Sequence, residues 1–368
     1  MSAQLLLTVS NMNYMGQHFA ALSTELDDQF YANHLLRIKQ LLALGNELAA
    51  LPALQSTFDI CLESHNTVPS DRVVLGTFHN LRHLREKVIH LRNFTETTFY
   101  EVLDRDPVWT EVKLRSMVRE IRLNQKLLEG KLPNISFSDF KTLGAREWLN
   151  DEVINYFVKK WCSRSSTLGL STFFACKVLF DDEDNSCIQA KHGVLTLDDE
   201  ETALRWCRRA DKSLCLNMGW DSVFIPINEN RSHWYSAYID FRRKRIHIYD
   251  SWSETCLLNQ RKPVLLRKNT GLMLVLMWLA ELLGRERGEE VQLKNAPLTQ
   301  WVCDPHTKVP FQPNHFDCGV HTLWHLQHVL AFREVQGEGC LSNRLMFTNN
   351  MVGKRLRLAQ EMLDDCGL

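Results

Sequence analysis

The chain has 368 residues, 45% of them hydrophobic and 24% charged, with a formal net charge of −1. That leaves room for two domains in an ordinary soluble globular protein and excludes any whole-chain charge bias toward nucleic acid or an anionic membrane. Eleven cysteines, an odd number with no C-x-x-C spacing, point to a reducing, intracellular compartment and not to a disulfide framework.

The N-terminus, MSAQLLLTVSNM, lacks the basic n-region and the apolar length of a secretory signal. Residues 1–131 read as a helical region of unassigned role. Tyr31, Leu35, Ile38 and Leu42 fall at helical spacing, widened by Leu41, Leu44 and Leu48. Leu81, Leu84, Val88 and Leu91 form a second apolar face. Asp106-Pro107 starts a third helix, continued by Leu114, Met117, Ile121 and Leu128. Pro52 and the Val68-Pro69-Ser70 turn punctuate the earlier helices. Residues 129–134, EGKLPN, read as a helix stop and a linker, and a second domain is expected over 132–368.

In that domain the pattern becomes mixed α+β. Asn150 caps a helix carrying Val153, Phe157 and Trp161, with Asp151 and Glu152 in its first turn. Residues 181–201 read as an acidic loop, followed by a short helix over 204–209. Three strands are expected at 222–227, 234–240 and 245–251. The last two are joined by the charged tip Phe241-Arg242-Arg243-Lys244. Residues 270–283 contain the longest apolar run; with Glu281 inside it, this is a buried helix and not a membrane span. A further strand is expected at 299–303, then helices at 318–330 and 351–363.

Asp317-Cys318-Gly319 opens the first of these last two helices. Asp317 is a good N-cap type, which sets Cys318 at the first helical position, where free N–H groups and the helix dipole favour a thiolate. His233 begins one strand and Asp250 ends the next, 17 residues on, with a hairpin tip midway. Antiparallel pairing brings the two to one end of the sheet. A carboxylate that orients an imidazole, an imidazole that activates a thiol, and the Gln312 amide beside the thiol's own backbone N–H as oxyanion donors together suit nucleophilic acyl transfer.

The order and spacing of His233-Trp234, Asp250, Gln312 and Asp317-Cys318-Gly319 resemble the Ulp/SENP-type ubiquitin-like-protein-specific cysteine proteases. The resemblance extends upstream to Trp148-Leu149-Asn150-Asp151 and Phe224-Ile225-Pro226-Ile227-Asn228, and covers roughly residues 134–366. It implies a papain-like α+β fold, with the nucleophile at the N-terminus of a central helix beside a small mixed sheet. It implies a triad of Cys318, His233 and Asp250, with Gln312 in the oxyanion hole. Trp148 and Trp234, with Asp151 in the same segment, would line a tunnel for a C-terminal Gly-Gly. Flat indole walls admit residues without side chains and reject a Cβ.

The implied partner is SUMO, or another ubiquitin-like protein such as NEDD8 or ubiquitin, and its conjugates. The implied location is the nucleus and/or cytoplasm, and no metal or cofactor is required. A mobile-element protease with a different target and a silent SUMO-binding module are the alternatives. All four catalytic positions are filled, which favours an enzyme. His321, His325 and His328 lie at helical spacing beside Cys318, but without an intervening Glu they do not read as a zinc site. Arg242 to Arg245 form a basic cluster that reads as a solvated turn, and nucleic acid is not an expected partner. Arg205, Arg208 and Arg209 are further cations that could meet an acidic face of a ubiquitin-like protein.

Overall fold

The computed structural model describes residues 25–50, 69–128, 131–132, 134–181, 187–192, 195–214, 219–293, 296, 298–337, 345–348 and 351–367. Pro52, Val68, the N-terminal MSAQLLLTVSNM and half of the 129–134 linker fall outside them. The chain divides into two compact units, Met1–Trp109 with Ser342–Arg344, and Thr110–Leu341 with Leu345–Leu368.

The first unit contains α1 (Asp28–Ala49) and α2 (Pro69–Arg105). Asp27 caps α1, its carboxylate accepting the N–H of Phe30 at 2.6 Å. The buried face of α1 is Phe30, Tyr31, His34, Arg37, Leu41, Leu44 and Leu48, and Leu42, expected on that face, is exposed. The expected stripe leaned on apolar residues alone, whereas His34 and Arg37 hold inner positions on the helix wheel. Leu44 and Leu48 pack with Leu81, Leu84 and Val88 of α2.

α3 (Pro107–Leu123) starts where expected, with Trp109 N–H bonded to the Asp106 carboxylate at 2.9 Å, but stops before Leu128. The second unit then adds α4 (Asp151–Cys162), capped by the Asn150 side chain on the N–H of Val153. Strand β1 (Thr167–Gly169) and α5 (Leu197–Asp211) follow. The acidic segment expected as loop to 201 turns helical at Leu197. Thr196 and Asp199 form a reciprocal capping box, and Asp198, Asp199 and Glu200 sit at the positive end of the helix.

β2 (Ser222–Glu229), β3 (His233–Asp240) and β4 (Arg245–Tyr249) form consecutive antiparallel hairpins. The first turn uses positive φ at Asn230 and Arg231; the second is Phe241–Lys244, with Lys244 at φ 54°. After β4 come α6 (Ser253–Gln260) and α7 (Thr270–Glu286). β5 (Val302–Thr307) lies parallel to β4 and begins later than expected. As the last strand in the order β1-β2-β3-β4-β5 it is held by backbone pairing, and an edge tolerates Pro305. The chain closes with α8 (Cys318–Phe332) and α9 (Val352–Asp365).

One sheet face, with Val223, Ile225, Ile227, Ala237, Ile239, Ile246 and Ile248, packs on Leu272, Leu276, Leu279 and Leu283 of α7. The other carries Ser236 and Tyr249 against His325 of α8, and Trp324 of α8 meets Trp161 of α4. A sheet covered on both faces accounts for the unbroken apolar runs in β2 and β3. Every residue of α8 from Cys318 to Val329 is buried, so it is the central helix of the unit. No described helix is long and apolar enough to cross a membrane, and no disulfide joins the described cysteines.

Candidate active site

The β3–β4 register fixes the first two site residues. Ser236 faces Tyr249. Continuing that register sets Tyr235 opposite Asp250, and His233 one alternate position beyond, on the same face. His233 Nε2 and Asp250 Oδ1 are 2.7 Å apart, and Asp250 is buried. Asp250 Oδ1 also accepts the N–H of Trp252 at 2.9 Å. The Trp252 indole lies edge-on to the His233 ring at 5.6 Å and meets His315 at 5.2 Å.

With Nε2 committed to Asp250, Nδ1 has no other described partner and is the nitrogen left for the Cys318 thiol. Burial pulls the His233 pKa down, but the Asp250 and Cys318 interactions outweigh it and raise the group to about 9. Burial likewise opposes ionisation of Asp250. The His233 bond and charge, with the Trp252 N–H, reverse this and hold the carboxyl below its ordinary range. The pair is therefore an imidazolium–carboxylate at neutral pH.

Cys318 occupies the first position of α8 and is 1% exposed. The Asp317 side chain makes no cap bond to that helix. A guanidinium competes for it: Arg355, itself 1% exposed on α9, donates through Nε to Asp317 Oδ1 at 2.9 Å, and Asn314 donates to Oδ2 at 2.7 Å. The same Arg355 reaches the carbonyls of Phe316 at 2.8 Å, Thr142 at 3.2 Å and Gly144 at 3.0 Å. Burial lowers the pKa of Arg355, and the Asp317 charge opposes that fall.

Gln312 is buried beside this turn. Its Oε1 accepts from the Ser251 hydroxyl at 2.7 Å, its Nε2 donates to the Asn314 carbonyl at 2.6 Å, and its backbone N–H donates to Ser251 O at 2.9 Å. One Nε2 proton stays uncommitted. Trp234 is buried, its indole N–H bonded to Leu149 O at 2.8 Å, while Trp148 is 48% exposed. Leu149 in turn crowds Gly319: a Cβ there would lie 2.8 Å from that of Leu149. Glycine after the thiol is a packing requirement. Asp151 takes a hydrogen bond from Asn228 and feels Arg231. Its burial is the larger influence, and its pKa is raised.

The structure thus gathers His233, Asp250 and Cys318, sets Gln312 against Ser251, and sets Trp234 against the Trp148–Leu149 segment. Sequence reasoning passed over Trp252 and Arg355. Arg355 left a faint mark, a cation on the apolar stripe Val352, Leu356, Ala359 and Leu363. The histidines of α8 are buried and point to neighbouring rings: His321, His325 and His328 all contact Phe347. At the β3–β4 tip, Arg243 and Arg245 pair with Glu334 and Lys244 with Gln300. On α5, Arg208 pairs with Glu286 and Arg205 bonds Thr202.

Comparison with known proteins agrees with this chemistry. The model of the Ulp1 protease family, C-terminal catalytic domain, matches residues 147–367. Ubiquitin-like-specific protease 1 of Saccharomyces cerevisiae is 29% identical over 202 residues, 54% of this chain and 26% of that protein. A sentrin-specific protease of Caenorhabditis elegans is 26% identical over 206 residues, 54% of this chain and 24% of that protein. The chain therefore spans about a quarter of the length of these curated relatives. A solved C-terminal Ulp1 protease domain in complex with Smt3, the yeast ortholog of SUMO, is 22% identical with a TM-score of 0.45, covering 68% of this chain and 95% of that one. The family model takes in well over half of the residues, and the chain belongs to the Ulp1 protease family by its C-terminal catalytic domain.

Proposed function

We propose that the protein is a thiol protease and isopeptidase that cleaves after the C-terminal Gly-Gly of a ubiquitin-like modifier, SUMO, in precursors or conjugates. The observation that carries this reading is the 2.7 Å contact between His233 Nε2 and the buried Asp250 carboxylate, set beside a thiol at a helix start. Cys318 attacks as the thiolate, beside protonated His233, and its sulfur bonds to the carbonyl carbon of the terminal glycine. The carbonyl oxygen becomes an oxyanion, received by the Cys318 N–H and the free Nε2 proton of Gln312. His233 passes its proton to the leaving amine, from a peptide or a lysine side chain, and a thioester remains. Water, deprotonated by His233, then attacks the thioester, and the carboxylate leaves with the thiolate and the protonated His233 restored. Asp250 keeps the imidazole oriented throughout. Because Cys318 is 1% exposed, a chain without side chains suits the approach, and Trp148, Trp234 and Asp151 are its lining.

The choice of SUMO rests on the relatives named for sentrin and ubiquitin-like proteins. We place the protease domain at 132–368 and its action in the nucleus and/or cytoplasm. Labelling with C-terminally electrophilic SUMO, NEDD8 and ubiquitin probes tests the proposal. An adduct with the SUMO probe, absent in Cys318→Ala, is expected. An adduct with another modifier only would replace the substrate, and failure of all three would end the protease reading.

A further inference from the structure

We propose that Arg355 is a positioning residue that locks the start of the nucleophile's helix to the Thr142–Leu149 segment, so that the thiol is aimed before substrate arrives. This rests on Cys318 being the nucleophile. A guanidinium carries five N–H groups in a fixed planar fork. Here Nε and Nη2 lie 2.9 Å from Asp317 Oδ1, Nη2 also reaches Phe316 O, and Nη1 spans Thr142 O and Gly144 O. The acceptors come from two chain segments, and Arg355 itself from a third. One of the acceptor segments ends at the residue before the thiol. The other runs on to Trp148 and Leu149, and Leu149 packs on Gly319 and accepts the Trp234 indole. The contacts close a ring from Arg355 through Asp317, Cys318, Gly319, Leu149 and Gly144 back to Arg355.

Stability alone is a poor reason for such a group. Burying an ion pair costs desolvation that its attraction only partly offsets, and apolar replacements are often no less stable. A five-bond fork specifies geometry, which an apolar side chain in the same place would not. Lysine would keep the charge but, as a compact point donor, could not hold the Asp317 carboxylate and all three carbonyls at once.

The test compares wild type, Arg355→Lys, Arg355→Met and the double variant Asp317→Asn/Arg355→Met on the full chain. Two readouts are needed: hydrolysis of a SUMO C-terminal coumarin amide, and the pH dependence of Cys318 alkylation by iodoacetamide, which requires no protein substrate. Arg355→Lys should lower kcat about tenfold or more with KM within about twofold, as expected when a reacting atom is misplaced. Arg355→Met strands the Asp317 carboxylate beside the thiol, so alkylation should shift to higher pH. The double variant should restore the alkylation profile and leave kcat low. Recovery of kcat in the double variant would reduce Arg355 to charge compensation and overturn the proposal. So would a normal kcat and alkylation profile in Arg355→Lys, which keeps the buried charge and decides the matter if Arg355→Met does not fold. If wild type leaves the SUMO amide intact, the substrate assignment fails, and the alkylation series still judges Arg355.

Discussion

At the scale of single residues, the decisive quantity is the proton on His233. Its folded pKa, near 9, lies above the ordinary histidine value of 6.5, so the ion pair with Asp250 contributes fully to stability below about 6.5. That contribution is lost as pH rises through about 9. In the proposed mechanism the same proton serves the leaving amine, so kcat/KM should fall above about pH 9. Asp250→Asn should draw that alkaline limb down toward the ordinary histidine range and lower kcat by about 10²-fold or more. A pH profile of kcat/KM checks this, and an unmoved limb would mean that Asp250 does not set the charge of His233. His233, Asp250 and Cys318 were legible in the sequence because a hairpin and a helix start place residues by simple counting. Arg355 was not, because nothing local tells an inward guanidinium from the outward cations that flank apolar positions on any amphipathic helix. Asp317 was half legible: its place was right, and its partner, 38 residues downstream, could not be read from the cap rule.

At the scale of elements, α8 is unusual in burying three neutral histidines. Burial dominates each case: His321 is held down at about 4, and His325 and His328 are lowered as well. For His321, the Asp317 charge opposes the burial effect and His233 adds to it. The unfolded chain takes up protons below about 6.5 that folded α8 refuses, so stability must fall with acid, by at most about 1.4 kcal/mol per pH unit for each histidine. Neither ring nitrogen of His321 has a hydrogen-bond partner among the described residues. His321→Leu should therefore make the denaturation midpoint less dependent on pH between about 5 and 6.5, and an unaltered slope would rule His321 out as a contributor. The sequence marked α8 as a helix, and it marked the β3–β4 hairpin and the Asn150 cap correctly. It misjudged α5, where the capping box was written in Thr196 and Asp199 but hidden in acidic surroundings. It also misplaced β5, whose pairing depends on β4 and not on its own side chains.

At the scale of the whole protease unit, α8 is pinned at both ends. Arg355 holds its start, and at its end Arg333, in a left-handed conformation with φ 63°, forks onto Asp240 at 2.7 and 2.8 Å and onto Asp221 at 3.0 Å. These bonds raise the Arg333 pKa further above its already high value. Asp240 is 1% exposed. Arg333→Ala would leave that carboxylate buried without its cation, and a loss of about 3–5 kcal/mol is expected in urea unfolding at unchanged m. A loss below about 1 kcal/mol would show that the network is a surface feature only. The order of these parts along the chain has a consequence for biosynthesis. The ribosome makes the imidazole–carboxylate hairpin first, the thiol next, and Arg355 only 37 residues after the thiol. Until α9 emerges, the Asp317 carboxylate lacks the Arg355 guanidinium. Until then the nascent chain carries His233, Asp250 and Cys318 without the contact that joins Asp317 to the Thr142–Gly144 turn.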